Sequence, residues 1–298
     1  MRAAHDAAAD QNYPPGALYV VATPIGNLAD ITLRALHMLN LAETIACEDT
    51  RHTQALLRAY GIDKSSAQLL AVHQHNEAQA AQIVIDRLRL GQRVAYASDA
   101  GTPAISDPGA RLVAAVRRES LPVIPLPGAS SVTTALSVAG MAEEGAQPGA
   151  FVFVGFLPPK STERAAAVAA LASEARAVVM LEAPHRIEAL ATALATLGDR
   201  LVTVGRELTK QFEEIATLSA EAFPAWLAHD ANRMRGEFVV VLHPTQSSVQ
   251  SGLDTRVLKL LLEVLPLKTA VKLAADITRE PRNALYDAAL ALKQQGDL

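Results

Sequence analysis

Short apolar runs alternate with stretches of helical periodicity along the first part of the chain. Residues 17–22, 44–47, 93–98 and 121–126 are mostly apolar at consecutive positions, which predicts strands buried on both faces. Between them, residues 32–40, 77–90 and 109–119 repeat apolar positions at the spacing of an amphipathic helix. Because alternating strands and helices favour a parallel sheet covered on both faces, we expect a doubly wound α/β domain at residues 17–126.

A second alternating pattern follows the Pro127-Gly128 pair. Residues 151–154, 178–181, 201–204 and 238–242 are predicted strands, and residues 130–139, 162–173 and 186–197 are predicted helices. We therefore expect a second α/β domain at residues 127–244.

The two ends of the chain differ from these domains. Residues 1–16 show neither periodicity, and we expect a disordered tail. Residues 245–252 are polar and predict a linker. In residues 253–298, leucines keep helical spacing up to Pro266, and two further helices are predicted at 267–277 and 281–293. This predicts a small helical segment that resembles a helix-turn-helix.

Composition narrows the class of protein. The chain has 298 residues, a formal net charge of −4 and one cysteine, which excludes an intramolecular disulfide and favours the cytoplasm. Charged residues interrupt every apolar run before the ~20 residues that cross a bilayer, so we expect no membrane role. The acidic total argues against a uniformly basic nucleic-acid surface, but it allows a local basic face.

The loop at residues 98–103 is the first candidate for chemistry. It has the sequence SDAGTP, follows a predicted buried strand and precedes a helix. Small residues at the carboxyl end of a parallel strand let a ligand approach the backbone, although an ordinary turn uses the same residue types. Neither G-x-G-x-x-G nor a Walker A sequence is present, which argues against dinucleotide binding and nucleotide hydrolysis.

Seven motifs in a fixed order carry a resemblance to a known family. They are TPIGNL at 23–28, EDTR at 48–51, HQHNE at 73–77, SDAGTPAISDPG at 98–109, GFLP at 155–158, PHR at 184–186 and RELTK at 206–210. Together they resemble the bacterial ribosomal RNA small-subunit methyltransferase I family of the tetrapyrrole methylase superfamily. The resemblance extends over residues 17–298.

The resemblance implies a homodimer of subunits with a two-domain α/β fold, and S-adenosylmethionine in the cleft between the domains. It also implies methylation of the ribose 2′-hydroxyl of a cytidine in small-subunit ribosomal RNA, as free RNA or as the 30S particle. The cofactor-binding residues that it implies are Pro24, Asp99, Ala100, Gly101, Thr102, Ser130, Ser131, Leu157, Leu181, Arg206 and Pro244. Of these, Ser130 and Ser131 are also suited to capping the helix that they begin.

The catalytic group is left open by the sequence. Methyl transfer to a hydroxyl requires alignment and removal of a proton, and Asp49, Glu182, His185 and Lys210 are candidates for assisting it. The carboxylates among them are equally suited to holding loops by hydrogen bonds. His73 and His75 share a spacing with metal pairs but lack further ligands, so we expect no metal.

Basic residues near the motifs and in the terminal helices are candidates for RNA contact, with solvated surface charge as the alternative. They are Arg51, His52, Lys160, Arg164, Arg186, Lys268, Lys272, Arg279 and Arg282.

Two other functions remain open. One is a tetrapyrrole C-methyltransferase, although residues 23–28 and 99–103 differ from the glycine-rich first loop and Gly-Asp-Pro turn typical of those enzymes. The other is a noncatalytic RNA-binding or ribosome-assembly protein that retains the cofactor fold.

Overall fold

The computed structural model describes residues 1–73, 76–105, 109–141, 149–245, 255–278 and 280–294. The contacts divide the chain into two compact units. One unit contains residues 1–141 and 149–243, and the C-terminal helices belong to the other. Parts of the HQHNE and SDAGTPAISDPG motifs, most of the expected linker, and Arg279 lie outside the described residues.

The strands are β1 (Leu18–Val21), β2 (Thr44–Cys47), β3 (Leu69–Ala71), β4 (Val94–Ala97), β5 (Val123–Leu126), β6 (Phe151–Gly155), β7 (Ala177–Glu182), β8 (Leu201–Arg206), β9 (Glu214–Ser219) and β10 (Phe238–Leu242). The helices are α1 (Arg2–Ala8), α2 (Leu33–Leu41), α3 (Thr50–Ala59), α4 (Glu77–Arg89), α5 (Gly109–Arg118), α6 (Ser131–Val138), α7 (Ser161–Leu171), α8 (Ile187–Leu194), α9 (Phe223–His229), α10 (Thr255–Leu262), α11 (Leu267–Thr278) and α12 (Arg282–Gln294).

The first sheet is parallel and has the order β3-β2-β4-β1-β5. Residues of α2 and α3, such as Met38 and Leu57, pack on one face with Tyr19 of β1. Residues of α4 and α5, such as Val84 and Leu112, pack on the other face with Tyr96 of β4. The predicted doubly wound layer is confirmed, because burial on both faces requires the continuous apolar runs seen in the sequence.

The central strands β4 and β1 form the switch point of this sheet. From β1 the chain crosses to β2 on one side, whereas from β4 it crosses to β5 on the other side. The loops that leave β1 and β4 therefore diverge, and open α/β sheets bind ligands in the crevice that such loops leave.

The second sheet is mixed and has the order β6-β7-β10-β8-β9. Only β6 and β7 pair in parallel, and the pairs formed by β10 with β7, β10 with β8, and β8 with β9 are antiparallel. Side chains of α7, α8 and α9 cover one face, while α6 covers the other through Val132 and Ala135. Ile25 from the loop after β1 packs into the cluster formed by α6, so the two sheets are joined by shared apolar contacts.

The N-terminal residues differ from the expected disordered tail. Arg2–Ala8 forms α1, with Ala4 and Ala8 buried and with the ring of His5 6.0 Å from that of His37 on α2. Small alanine side chains allow a close approach to α2, and this approach was not visible in a segment that lacks large apolar residues.

Several elements escape the sequence patterns. These are α3, β3, β9 and α9. In β9, a polar edge strand, intermediate and exposed positions alternate without a buried residue, so it lacks the apolar run by which the other strands were found. In α3 the buried residues are Thr53 and Leu57, so few apolar positions mark its helical period in the sequence.

The C-terminal unit consists of α10, α11 and α12. Leu258, Val271, Ala274, Leu285 and Ala289 form its own apolar core. The helix expected from Pro281 begins one residue later, at Arg282, and the Pro281 carbonyl accepts a hydrogen bond from Leu285 N. None of the described helices is long and apolar enough to cross a membrane.

Candidate active site

A cleft of about 440 Å³ lies in the first unit, between residues of the two sheets. One wall is formed by the loops after β1, β2, β4 and β5, and the opposite wall by segments that adjoin β6, β7, β8 and β10. This volume falls in the range of roughly 300–1,000 Å³ that is typical of small-molecule sites. The cleft thus occupies the crevice at the switch point of the first sheet.

The loop after β4 is fixed by backbone hydrogen bonds to its neighbours. Thr23 and Gly101 exchange both N–H···O bonds at 3.0 Å, and Thr102 Oγ1 donates to the Ala129 carbonyl at 3.0 Å. Gly101 has a φ of +80°, which only glycine adopts without strain. A βα turn used only for chain reversal does not need these ties to two other loops, so they favour the interpretation as a ligand loop.

Asp99 and Asp49 lie next to each other at the carboxyl ends of β4 and β2. The Asp49 N–H donates to Asp99 Oδ1 at 3.3 Å, and Asp99 lines the cleft. The Asp49 carboxylate instead accepts from Arg51 Nε at 3.2 Å and Nη2 at 2.9 Å, and from the backbone N–H groups of Arg51 and His52 that begin α3. Hydrogen bonds from the side chain and backbone of Arg51 hold the pKa of Asp49 well below its usual range.

Ser130 and Ser131 stand at the beginning of α6 and both line the cleft. Ser130 occupies the N-cap position, but its side chain makes no capping hydrogen bond. The Ser130 hydroxyl therefore does not cap α6, and the first residues of this helix, whose N–H groups lack partners inside the helix, line the cleft.

Glu182 at the end of β7 is the most deeply buried acid of the opposite wall. Its Oε1 accepts from Ala183 N at 2.9 Å and lies 3.2 Å from Arg186 Nε, and its side chain is 0% exposed. Among the described residues, Oε2 has no hydrogen-bond partner, although Glu182 lines the cleft. A buried carboxylate oxygen without a partner is costly, and such a cost is typical of a group kept for chemistry.

Lys210 extends into the cleft from the segment after β8. Its Nζ donates to Glu207 Oε1 at 2.8 Å and to Glu237 Oε2 at 3.0 Å. Glu207 and Thr209, on either side of Leu208, have φ values of +49° and +67°, so the backbone that presents Lys210 is strained. Partial burial by itself lowers the pKa of Lys210, but the two carboxylates outweigh it and raise the pKa overall. Lys210 is therefore a cation at neutral pH and not a proton acceptor.

The eleven cofactor candidates separate into two groups. Seven of the eleven line the cleft: Asp99, Ala100, Gly101, Thr102, Ser130, Ser131 and Leu181. The other four do not line it: Pro24, Leu157, Arg206 and Pro244. Arg206 is buried, and its guanidinium donates to the carbonyls of Arg235 and Phe212, while Pro244 belongs to the C-terminal unit.

Of the catalytic candidates, Glu182 and Lys210 line the cleft, whereas Asp49 and His185 do not. His185 is exposed in the short helical turn Pro184–Arg186, whose neighbours Ala183 and Pro184 do line the cleft. The structure thus ranks candidates that the sequence left unranked. No group of three or more His, Cys, Asp or Glu residues suited to a metal occurs in the described part of the chain.

The candidates for RNA contact divide into exposed and buried residues. Arg51 and Lys160 have side chains 90% and 76% exposed, and they pair with Asp49 and Glu163 respectively. His52, Lys268, Lys272 and Arg282 are exposed as well. For Arg164, RNA contact is contradicted, because the residue is buried and its Nη1 donates to the carbonyls of Pro158 and Pro159.

Arg186 is largely committed inside the protein. It donates to the Leu157 carbonyl and pairs with Glu182, and its side chain is about one-fifth exposed. The expectation that Arg186 chiefly contacts RNA is therefore replaced by a role in holding the GFLP segment against β7.

Sequence reasoning missed several residues of the cleft. Ile25, Ile105, Phe156 and Glu237 line it without having been singled out. Three of them belong to the quoted motifs, whereas Glu237 carries no signal, because only the pairing of β10 with β7 and β8 brings it to Lys210.

The charges and shape of the cleft fit S-adenosylmethionine. Among the described residues, the carboxylates of Glu48, Asp99, Glu182 and Glu237 line it, against the single cation of Lys210. This excess of negative charge favours a cationic ligand, as the sulfonium and ammonium groups require. The small residues of the loop after β4 leave the backbone open to the polar ends of the ligand.

Comparison with known proteins agrees with this geometry. Residues 17–224 match the family model described as Tetrapyrrole (Corrin/Porphyrin) Methylases, so the chain is a protein of that class. Residues 253–293 match the RsmI C-terminal HTH domain. More particularly, the chain belongs to the family of Ribosomal RNA small subunit methyltransferase I. The relative of that name from Neisseria meningitidis is 48% identical over 284 residues, which is 94% of this chain and 95% of the relative. The Escherichia coli O157:H7 relative is 45% identical over 285 residues, covering 94% and 96%.

Solved structures share the fold at low identity. A cobalt precorrin-4 methyltransferase superposes with a TM-score of 0.56 at 19% identity, covering 78% of this chain and 98% of its own. A uroporphyrin-III C-methyltransferase from Thermus thermophilus, complexed with S-adenosylhomocysteine, has a TM-score of 0.50 at 18% identity, covering 75% and 96%.

Proposed function

We propose that this protein methylates the ribose 2′-hydroxyl of a cytidine in small-subunit ribosomal RNA, with S-adenosylmethionine as donor. The observation that carries this proposal is Glu182, which lines the cleft together with Asp99 and whose buried Oε2 has no partner among the described residues. Family membership and the names of the relatives support the RNA substrate. The ribose position and the cytidine rest on the resemblance of the seven motifs.

The first wall of the cleft is assigned to the cofactor. Asp99 accepts from its hydroxyl groups or balances its positive charge, while Ser130, Ser131 and the backbone at Ala100–Thr102 bind its polar ends. When bound, S-adenosylmethionine supplies an electrophilic methyl group carried on a sulfonium. No metal is needed for that chemistry.

The opposite wall is assigned to the acceptor. Glu182 Oε2 accepts the proton of the 2′-hydroxyl as that oxygen gains the methyl group, and Arg186 and the Ala183 N–H hold Oε1 so that Oε2 stays in place. Lys210, which stays protonated, donates a hydrogen bond to the ribose and offsets charge on its oxygen.

The phosphates of RNA need a separate surface, because the cleft itself is negative. Arg51 and Lys160 are exposed cations, and His52 is an exposed imidazole; all three lie in loops or helix starts next to segments of the cleft. Lys268, Lys272 and Arg282 are exposed on the C-terminal helices. We propose that both sets bind phosphates, which contributes affinity without selecting a sequence.

The direct test is transfer of labelled methyl to purified small subunits and, separately, to naked ribosomal RNA, followed by mapping of the modified nucleotide. The expected product is one ribose-methylated cytidine. Label on a base, or label on neither substrate, contradicts the proposed reaction. Label on a tetrapyrrole instead supports the small-molecule alternative, and absence of cofactor binding in calorimetry supports the noncatalytic one.

Gly26→Ala is expected to lower kcat roughly tenfold by displacing Lys210. A Cβ at Gly26 would lie 2.3 Å from Lys210 Cγ, and Gly26 does not have the positive φ that would strain an alanine. The fold is therefore expected to survive while the lysine moves. The measurement is kcat together with thermal unfolding, and Lys210→Ala provides the background. In that background the lysine atoms that the new Cβ would meet are absent, so Gly26→Ala is expected to leave kcat unchanged. An equal fall in kcat in both backgrounds contradicts the interpretation.

We further propose that the protein is a homodimer in the cytoplasm. The dimer rests on the family resemblance, and the location on the proposed ribosomal substrate. In light scattering, a mass equal to the 31.5 kDa of one chain contradicts the dimer.

A further inference from the structure

Phe156 is an aromatic residue left open at the cleft. It is 52% exposed, and it lines the cleft together with Glu182. None of the ring contacts among the described residues involves it. Ile105, on the loop after β4, is exposed to the same fraction and lines the same cleft. Exposed apolar surface at a site is a mark of ligand contact, because water solvates it poorly.

The backbone that carries Phe156 is held in place on both sides. Before it, the register of β6 against β7 shifts between Phe153 and Gly155, and Gly155 has a φ of +65°. After it, Leu157 is buried and its carbonyl accepts from Arg186. The next two carbonyls accept from Arg164 Nη1, at 3.4 Å and 3.0 Å.

Two buried or half-buried arginines, Arg164 and Arg186, thus donate to three consecutive backbone carbonyls of this loop. Packing of the apolar core does not explain this arrangement, because the Phe156 ring is not part of that core. A ring on a fixed backbone loses little conformational freedom when a ligand stacks on it, so rigidity here favours binding. The backbone on either side of Phe156 is therefore held in one conformation, which fixes the position of the ring.

We propose that Phe156 is the stacking platform for the base of the nucleotide whose ribose enters the cleft. This inference rests on the proposed function, because it takes the acceptor to be a ribose placed at Glu182. Unpaired RNA bases are commonly bound by stacking on aromatic side chains. Stacking of the base fixes the attached sugar, which brings the 2′-hydroxyl to Glu182 and Lys210. Every base has a flat face, so Phe156 positions the nucleotide and does not select cytosine.

The test compares four variants in methyl transfer to small subunits that lack the modification. Phe156→Ala removes the ring, Phe156→Leu keeps an apolar side chain without a flat face, and Phe156→Tyr and Phe156→Trp keep an aromatic face. Phe212→Ala is the matched control, because Phe212 is an aromatic residue 68% exposed that does not line the cleft. Affinity for S-adenosylmethionine is measured by calorimetry on each variant.

The expected result is a rise in KM for the small subunit of roughly 10- to 100-fold in Phe156→Ala. A similar rise is expected in Phe156→Leu, with values near wild type in the two aromatic variants and in Phe212→Ala. Cofactor affinity is expected to stay within about twofold throughout, since the platform serves the acceptor.

Three results overturn the inference while leaving the proposed function intact. They are an unchanged KM in Phe156→Ala, full activity in Phe156→Leu, and a loss of cofactor affinity equal to the loss of activity. The last result assigns the ring to the cofactor. If wild-type protein transfers no label to any RNA, the proposed function and the inference both fail, and this outcome is distinct because it does not involve the variants.

Discussion

Glu182→Gln is expected to lower kcat about 10²- to 10⁴-fold, the range typical of losing a general acid–base group. Glutamine keeps the shape of the side chain and an oxygen for the Ala183 N–H, but it does not accept a proton from a hydroxyl. Since Arg186 retains its bond to the Leu157 carbonyl, the fold is expected to persist. The measurement is single-turnover methyl transfer, with circular dichroism and cofactor affinity as checks on the protein.

The pH profile separates a proton acceptor from a merely structural carboxylate. A base works in its ionised form, so the wild-type rate is expected to rise with pH, and this rise is expected to vanish in the glutamine variant. Lys210 does not produce such a rise near neutral pH, because its pKa is raised above that of a free lysine and the amine stays protonated there. The matched control is Glu188→Gln, at an exposed residue of α8 outside the cleft lining. A glutamine variant that keeps the wild-type profile contradicts the assignment.

Asp99→Asn is expected to weaken S-adenosylmethionine binding by about 10- to 100-fold, the magnitude associated with losing a hydrogen bond to a charged group. The asparagine oxygen can still accept from the Asp49 N–H, so the loop after β4 is expected to keep its conformation. The measurement is calorimetric titration with S-adenosylmethionine. Asp63→Asn, at an exposed residue outside the cleft lining, is the control.

Titration with S-adenosylhomocysteine distinguishes the two roles open to Asp99. If the carboxylate balances the sulfonium charge, the variant loses more affinity for S-adenosylmethionine than for the neutral thioether. If it accepts from the cofactor hydroxyls, both affinities fall equally. Unchanged affinity for both ligands contradicts cofactor binding by Asp99.

A site residue could be predicted from the sequence where its position follows from the secondary structure next to it. Asp99, Gly101 and Thr102 follow a buried strand directly, so their position at the carboxyl end of the sheet was readable from the sequence and they line the cleft. Pro24, Leu157, Arg206 and Pro244 were transferred by motif alone and do not line it. A motif fixes order along the chain, whereas lining a cleft depends on the direction of each side chain.

The burial and the partners of charged side chains were the least predictable features of the site. Arg164, Arg186 and Arg51 look alike in the sequence, yet the first is buried on backbone carbonyls, the second pairs with Glu182, and the third is almost fully exposed. The same applies to Asp49 and Glu182, of which the first is saturated by Arg51 and the second keeps an oxygen without a partner among the described residues. The partner that each side chain finds in the folded protein determines whether it is buried, paired or exposed.

The sequence by itself determined the α/β alternation, the doubly wound first domain, the ligand loop at residues 98–103 and, through seven motifs, the family. These follow from periodicity and residue order, which are properties of neighbouring positions. Only the tertiary structure decided that α1 is helical, that Glu182 lines the cleft whereas Asp49 does not, and that Arg164 and Arg186 donate to the loop of Phe156. Those outcomes depend on contacts between residues that are far apart in the sequence. Such contacts cannot be inferred from the pattern of neighbouring residues.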